Sequence, residues 1–132
     1  MAYYNNKKVA MVVKVVGGGK FSRLVDKSIT QVTAGDLAGI TKIGQMVFYL
    51  CQNLTSIDIP STVTEIGSLA FYRCIALTSI TINATTPPTL MDINAFDNTN
   101  NCPIYVPAES VTAYQTATNW ASLASRIQAI QA

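Results

Sequence analysis

Histidine is absent from this chain of 132 residues. Its absence removes the side chain that most often acts as a base near neutral pH, and a frequent metal ligand. A serine or cysteine nucleophile would have no imidazole to activate it. Charge is sparse, at 12% of residues, which suits a chain whose flanks are covered by partners or a surface rich in Thr, Ser and Asn. No apolar run approaches the roughly 20 residues of a membrane span. The longest candidate, Val9-Ala10-Met11-Val12-Val13, is broken by Lys14. It is too short for the core of a secretory signal, so the chain is expected to be made in a cytoplasm and not exported by that route. Asp92 and Asp97 are the carboxylates that could form a catalytic pair, and they read as loop residues. The run Gly17-Gly18-Gly19-Lys20-Phe21-Ser22 lacks the second glycine that a phosphate loop places before Lys-Ser/Thr. No enzyme activity, metal or cofactor is expected.

The charge that exists is unevenly placed. Lys7, Lys8, Lys14, Lys20, Arg23 and Lys27 against Asp26 make residues 1–27 a basic head of +5, and the remainder carries −3. Only Tyr3 and Tyr4 offer stacking faces there, so nucleic acid is not expected as a partner. Val9, Met11, Val13 and Val15 alternate with Ala10, Val12, Lys14 and Val16. This β-branched, period-2 pattern predicts a strand that is apolar on both faces and needs cover on both. An isolated strand of this kind is not stable in water. The arm is therefore expected to pair with another chain, as a homo-oligomer or by docking on a different protein. The three glycines form a joint, which divides the chain into an arm and joint at 1–20 and a second unit at 21–132.

What dominates that second unit is a repeat. Ile43-Gly44-x-x-Val47-Phe48-x-x-Cys51-x-x-Leu54-Thr55-Ser56-Ile57-x-Ile59 recurs as Ile66-Gly67-x-x-Ala70-Phe71-x-x-Cys74-x-x-Leu77-Thr78-Ser79-Ile80-x-Ile82, 23 positions later. A fixed period in the twenties predicts a solenoid, in which each unit buries its apolar face against the next. Residues 29–32 read as a short strand and residues 33–37 as a turn or short helix in an entry cap. A distorted third copy follows, with Ala95-Phe96 and Ile104-Tyr105-Val106-Pro107, interrupted by a polar loop at 97–101. Gly44 and Gly67 mark places where the chain turns tightly or passes close to a neighbour. From Ala108 the spacing of Val111, Tyr114, Ala117, Trp120, Leu123 and Ile127 becomes helical. Two short helices divided near Asn119 are expected to cover the last open edge of the stack.

Within each repeat Ile57 and Ile59 should face inward and Ser56 and Asp58 outward, with the strands of successive repeats side by side in a parallel sheet. Leu54, Phe48, Ile43 and Ile66 should fill the interior from the other sides. Ser56, Asp58, Ser79, Thr81 and Tyr105 then form one outward surface. Tyr49 and Tyr72, each one residue after a buried phenylalanine, form a second, stacked one. Tyrosine supplies contact area at low entropic cost, which makes the pair the better binding candidate. Cys51 and Cys74 occupy equivalent positions and are expected to be buried, reduced and unbridged. Cys102, beside the polar loop, is the thiol nearest solvent, with burial still favoured.

The motif Ile-Gly-x-x-Ala-Phe-x-x-Cys-x-x-Leu-Thr-Ser-Ile-x-Ile-Pro resembles the BspA-like, Treponema-type leucine-rich repeat, over about residues 29–107. The segment from Ile104 through Tyr114, Asn119-Trp120 and Arg126-Ile127 looks like the terminal cap of such arrays. The resemblance implies an α/β-type solenoid with parallel strands, an N-terminal β arm and a C-terminal helical cap. It also implies a non-enzymatic interaction role, since the family is common in bacterial surface proteins and in phage structural proteins. The array is short and no export signal is visible, and the head of the chain is similar to phage-encoded members. The expectation is therefore a phage virion or tail-associated protein, made in the host cytoplasm and recognising a host surface protein or glycan. A bacterial cell-surface adhesin-like module is the alternative.

Overall fold

A computed structural model describes residues 20–21 and 28–131 of the chain. The arm residues Val9, Met11, Val13 and Val15 and the glycine joint lie outside the described residues. Among the described residues nine strands form two parallel sheets. One contains β1 (Lys20–Phe21), β3 (Lys42–Ile43), β5 (Glu65–Ile66) and β7 (Thr89–Leu90) in that order. The other contains β2 (Gln31–Val32), β4 (Ser56–Ile59), β6 (Ser79–Ile82), β8 (Ile104–Val106) and β9 (Ile127–Ala129). The chain alternates between the two sheets, so each coil lays one short strand in each. Lys20 of β1 pairs in parallel with Lys42 of β3.

Period 2 in the strands sorts the side chains. Ile57, Ile59, Ile80, Ile82, Ile104 and Val106 are buried, and Ile43, Ile66 and Leu90 meet them from the other sheet. The second sheet was not expected as a sheet; its strands are two residues long, too short to show an alternation. Phe48, Phe71 and Phe96 stack through the interior with centroids 5.1 Å apart and planes within 5°.

Threonines tie the coils together at both corners. Thr55 donates its N–H and hydroxyl to the carbonyl of Thr30 (2.8 and 3.0 Å), and Thr78 does the same to Thr55. Thr64 repeats the pattern on Thr41. The expected turn at 33–37 is a reciprocal pair, in which Thr33 N–H donates to Asp36 Oδ2 and Asp36 N–H to Thr33 Oγ1. At Gly67 the requirement is close approach. A Cβ there would lie 2.6 Å from the Gln45 nitrogen and 2.7 Å from the Gly44 carbonyl carbon, so only glycine lets adjacent coils meet.

The C-terminal cap has the two short helical segments divided at Asn119 that were expected, and a strand after them that was not. Residues Ala108–Ser110 are 3₁₀, α1 spans Val111–Thr116, Asn119 turns the chain at φ 68°, and Trp120–Arg126 is again 3₁₀. Ile127, read from its spacing as helical, is in β9, which pairs in parallel with β8 (Ile104 with Ile127, Val106 with Ala129). A strand, not a helix, therefore covers the last edge of that sheet. The open carbonyls of β8 offer hydrogen bonds that a helix cannot take up, and Ile130 N–H completes the row on Val106 (2.8 Å).

At the edge of the other sheet, cap side chains replace the missing backbone. In the interior, Gly67 N–H donates to Ile43 and Met91 N–H to Ile66; at the end, Asn119 Nδ2 donates to Leu90 (2.7 Å). Thr64 N–H donates to Thr41 and Thr89 N–H to Thr64; at the end, Trp120 Nε1 donates to Pro88 (2.8 Å). Tyr114 Oη on Ala84, Ser110 Oγ on Thr85 and Arg126 Nε on Cys102 close three more carbonyls. Trp120 also extends the phenylalanine column, 5.7 Å from Phe96.

Candidate functional site

Two outward surfaces follow from this frame. On the larger sheet, register places Gln31, Ser56 and Ser79 in one row and Asp58, Thr81, Tyr105 and Gln128 in another. Ser56, Asp58, Ser79, Thr81 and Tyr105 are all half-buried; Asp58, Thr81 and Tyr105 each stand between buried neighbours, and Ser56 and Ser79 each precede one. The expected outward alternation is thus observed. Asp58 is already engaged: Asn83 Nδ2 donates to Asp58 Oδ1 (2.7 Å) and to the Ile59 carbonyl (2.9 Å). Sequence reasoning did not single out Asn83. The signal was that the repeat has Pro60 and Pro107 after the other two inward pairs, and asparagine at 83.

The second surface lies in the turns that lead from the smaller sheet to the larger one. Tyr49 and Tyr72 stack with centroids 5.6 Å apart and planes 11° apart, both half-buried. Their stacking is inherited from the phenylalanine column one residue earlier. Because Phe96 continues that column in the third coil, the position after it, Asp97, stands where a third tyrosine would. The turns are held in a costly conformation. Met46 and Leu69 have φ 60° and 56°, and Leu50, Arg73 and Asn98 have φ 60°, 62° and 58°. Non-glycine residues there cost roughly 1–2 kcal/mol each. Bonds between coils hold them: Met46 N–H donates to Ser68, Leu50 N–H to Tyr72 and Arg73 N–H to Asp97 (2.9–3.0 Å).

Most of the remaining chemical groups have structural partners. Cys51, Cys74 and Cys102 are free thiols. Cys51 and Cys74 are wholly buried, and Cys74 Sγ donates to the Phe48 carbonyl. Cys102 is 4% exposed, the nearest of the three to solvent. Burial pushes its thiol pKa up, and the Arg126 guanidinium opposes that shift. Arg126, which sequence reasoning also missed as an anchor, donates to Thr99 Oγ1 (2.7 Å) under the polar loop. Asp92 Oδ1 accepts the Asn94 N–H in a local turn. Among the described residues no group of three or more His, Cys, Asp or Glu could hold a metal ion. No helix among them is long and apolar enough to cross a membrane. An open concavity of about 450 Å³ lies between β7 and the cap, lined by residues such as Pro87, Met91, Ala117 and Trp120. The Asn119 and Trp120 donors beside it are spent on carbonyls.

A family model for the BspA type leucine-rich repeat region matches residues 20–125 in six copies. The chain belongs to that family. The match begins at β1 and runs into the second 3₁₀ segment of the cap, so the irregular ends of this BspA-type array count as repeats beside its two clean copies. No curated protein matches the chain. A leucine-rich-repeat stack of this family is a protein-interaction module.

Proposed function

We propose that this BspA-type repeat protein is a non-enzymatic structural component of a phage virion or tail. In this reading the N-terminal arm docks on a sister copy or another virion protein, and the repeats present a recognition surface to a host protein or glycan. The observation that carries the reading is the division of the molecule. The cap closes the C-terminal end of the stack with Tyr114, Asn119, Trp120 and Arg126, which leaves the side rows for recognition. In the sequence an apolar arm precedes the first repeat. Sparse charge and a head similar to phage-encoded members support the virion assignment.

The test is the pair Tyr49→Ser with Tyr72→Ser, assayed for incorporation into purified particles and for adsorption to the host or its glycans. Normal melting and incorporation with lost adsorption is the expected result. Unchanged adsorption removes this surface and directs attention to charge reversal at Asp58 on the sheet face. Capsid and tail genes beside this one would support the virion reading. Sortase or secretion genes would favour the bacterial surface adhesin instead.

A further inference from the structure

We propose that the third-coil layer beside Tyr72 receives an arginine side chain of a partner protein, stacked on the Tyr72 ring and paired with Asp97. The inference rests on reading the tyrosine turns as a recognition surface, and it names the chemistry that surface selects.

The register is set by the interior. Phe71 and Phe96 are parallel at 5.1 Å, and Arg73 N–H donates to the Asp97 carbonyl at 2.9 Å, so Tyr72 and Asp97 are neighbours across adjacent coils. Tyr49 covers one side of Tyr72 at 5.6 Å. Among the described residues no other ring lies against Tyr72, and on the Asp97 side the coil carries a short carboxylate in place of a ring. The column of surface rings therefore ends one layer before the interior column does. A flat group entering that layer would lie parallel to the Tyr72 ring.

Charge and shape choose the group. The Asp97 backbone is engaged on both sides, with its N–H donating to Asn94 and its carbonyl accepting from Arg73. Its half-buried carboxylate has no hydrogen bond or ion pair among the described residues. A guanidinium is planar, stacks on aromatic faces, and holds its N–H donors in its own plane. Lying on Tyr72 it occupies the layer of Asp97, so its edge meets the carboxylate in that plane, the geometry of a two-bond Arg–carboxylate pair. An ammonium has no plane to match the ring, and a neutral group leaves the carboxylate uncompensated.

The experiment is a titration of the full chain with acetyl-Gly-Arg-Gly-amide, followed by NMR at the amide and ring signals of Tyr72 and Asp97. Citrulline and lysine versions of the peptide and a neutral oligosaccharide serve as comparisons. The expected result is saturable shifts centred on those two residues. Affinity should fall roughly tenfold with the citrulline peptide, which loses cation–π and ion-pair attraction together, and by roughly two- to fivefold in Asp97→Asn, which loses the ion pair alone. Asp97→Asn keeps the backbone bonds and should melt like the parent. Equal binding of arginine and citrulline peptides overturns the proposal, as does perturbation by the oligosaccharide alone, or no shift at either residue. If Tyr49→Ser with Tyr72→Ser abolishes host adsorption while Asp97→Asn leaves it intact and the arginine peptide binds nowhere, the slot is wrong and the recognition surface stands.

Discussion

Phe71 sits between two parallel rings and has no exposed surface. Removing it opens a cavity that neither neighbour can close, because each is locked to its own coil. Phe71→Ala is expected to cost about 3–5 kcal/mol, measured by chemical denaturation, and in so small a domain that approaches the whole stability. A midpoint unchanged within error would show that the ring is not a core layer. Gly67 fails in the opposite direction. An added methyl meets backbone atoms at 2.6–2.7 Å, which cannot rotate away, so Gly67→Ala should lose about 1–3 kcal/mol from overpacking. These two positions were legible from the repeat itself, since an invariant spacing of aromatic and glycine implies one layer and one close approach. The direction of the Gly67 constraint, approach rather than turn, needed the neighbouring coil.

At the scale of the element, the turns and the cap behave differently. Arg73 holds a left-handed conformation at φ 62°, and the third coil places Asn98 at the equivalent position with φ 58°. Asparagine tolerates that region better, and the bond from residue 73 N–H to Asp97 is independent of the side chain. Arg73→Asn is therefore expected to raise stability by about 0.5–1 kcal/mol, visible as a higher melting temperature. In the cap, Trp120→Phe keeps a ring against Phe96 but strips the donor from the buried Pro88 carbonyl. A loss of about 1–3 kcal/mol is expected for leaving that acceptor unpaired, and a neutral result would mean the ring alone closes the stack. The cap was misread in part because helical spacing and the long period coincide there. Trp120 lies 24 residues after Phe96, and Ile127 lies 23 after Ile104. The array thus continues through a segment whose local pattern is helical.

For the whole molecule, alkaline pH is the expected point of weakness. Tyr114 is buried, its hydroxyl donates to Ala84 at 2.6 Å, and burial pushes its phenol pKa well above the ordinary range. The folded state holds the neutral form, so this contribution is whole below the unfolded value of about 10 and is lost as pH rises above it. Cys102 shifts in the same direction. Denaturation midpoints should fall above that pH, and Tyr114→Phe should flatten the fall while costing stability at neutral pH. Assembly is a separate property. Deleting residues 1–19 should leave a folded monomer, by light scattering, from a full chain that self-associates. A full chain already monomeric in dilute buffer would leave docking on a different protein as the role of the arm.

The sequence by itself determined the period, the inward residues of the longer strands, the stacked phenylalanines and tyrosines, and the buried cysteines. All of these follow from one fact, that equivalent residues of a repeat must lie one coil apart. Tertiary structure alone decided the second sheet, the strand β9, and the use of Asn83, Asn119, Trp120 and Arg126 as hydrogen-bond donors. Two-residue strands carry no readable alternation, and a donor's partner in the preceding coil is some 24–32 residues away. Which carbonyl is left open at the end of the stack is settled only when the coils are laid on one another, because an unpaired buried acceptor is a property of the assembled edge and not of any local segment.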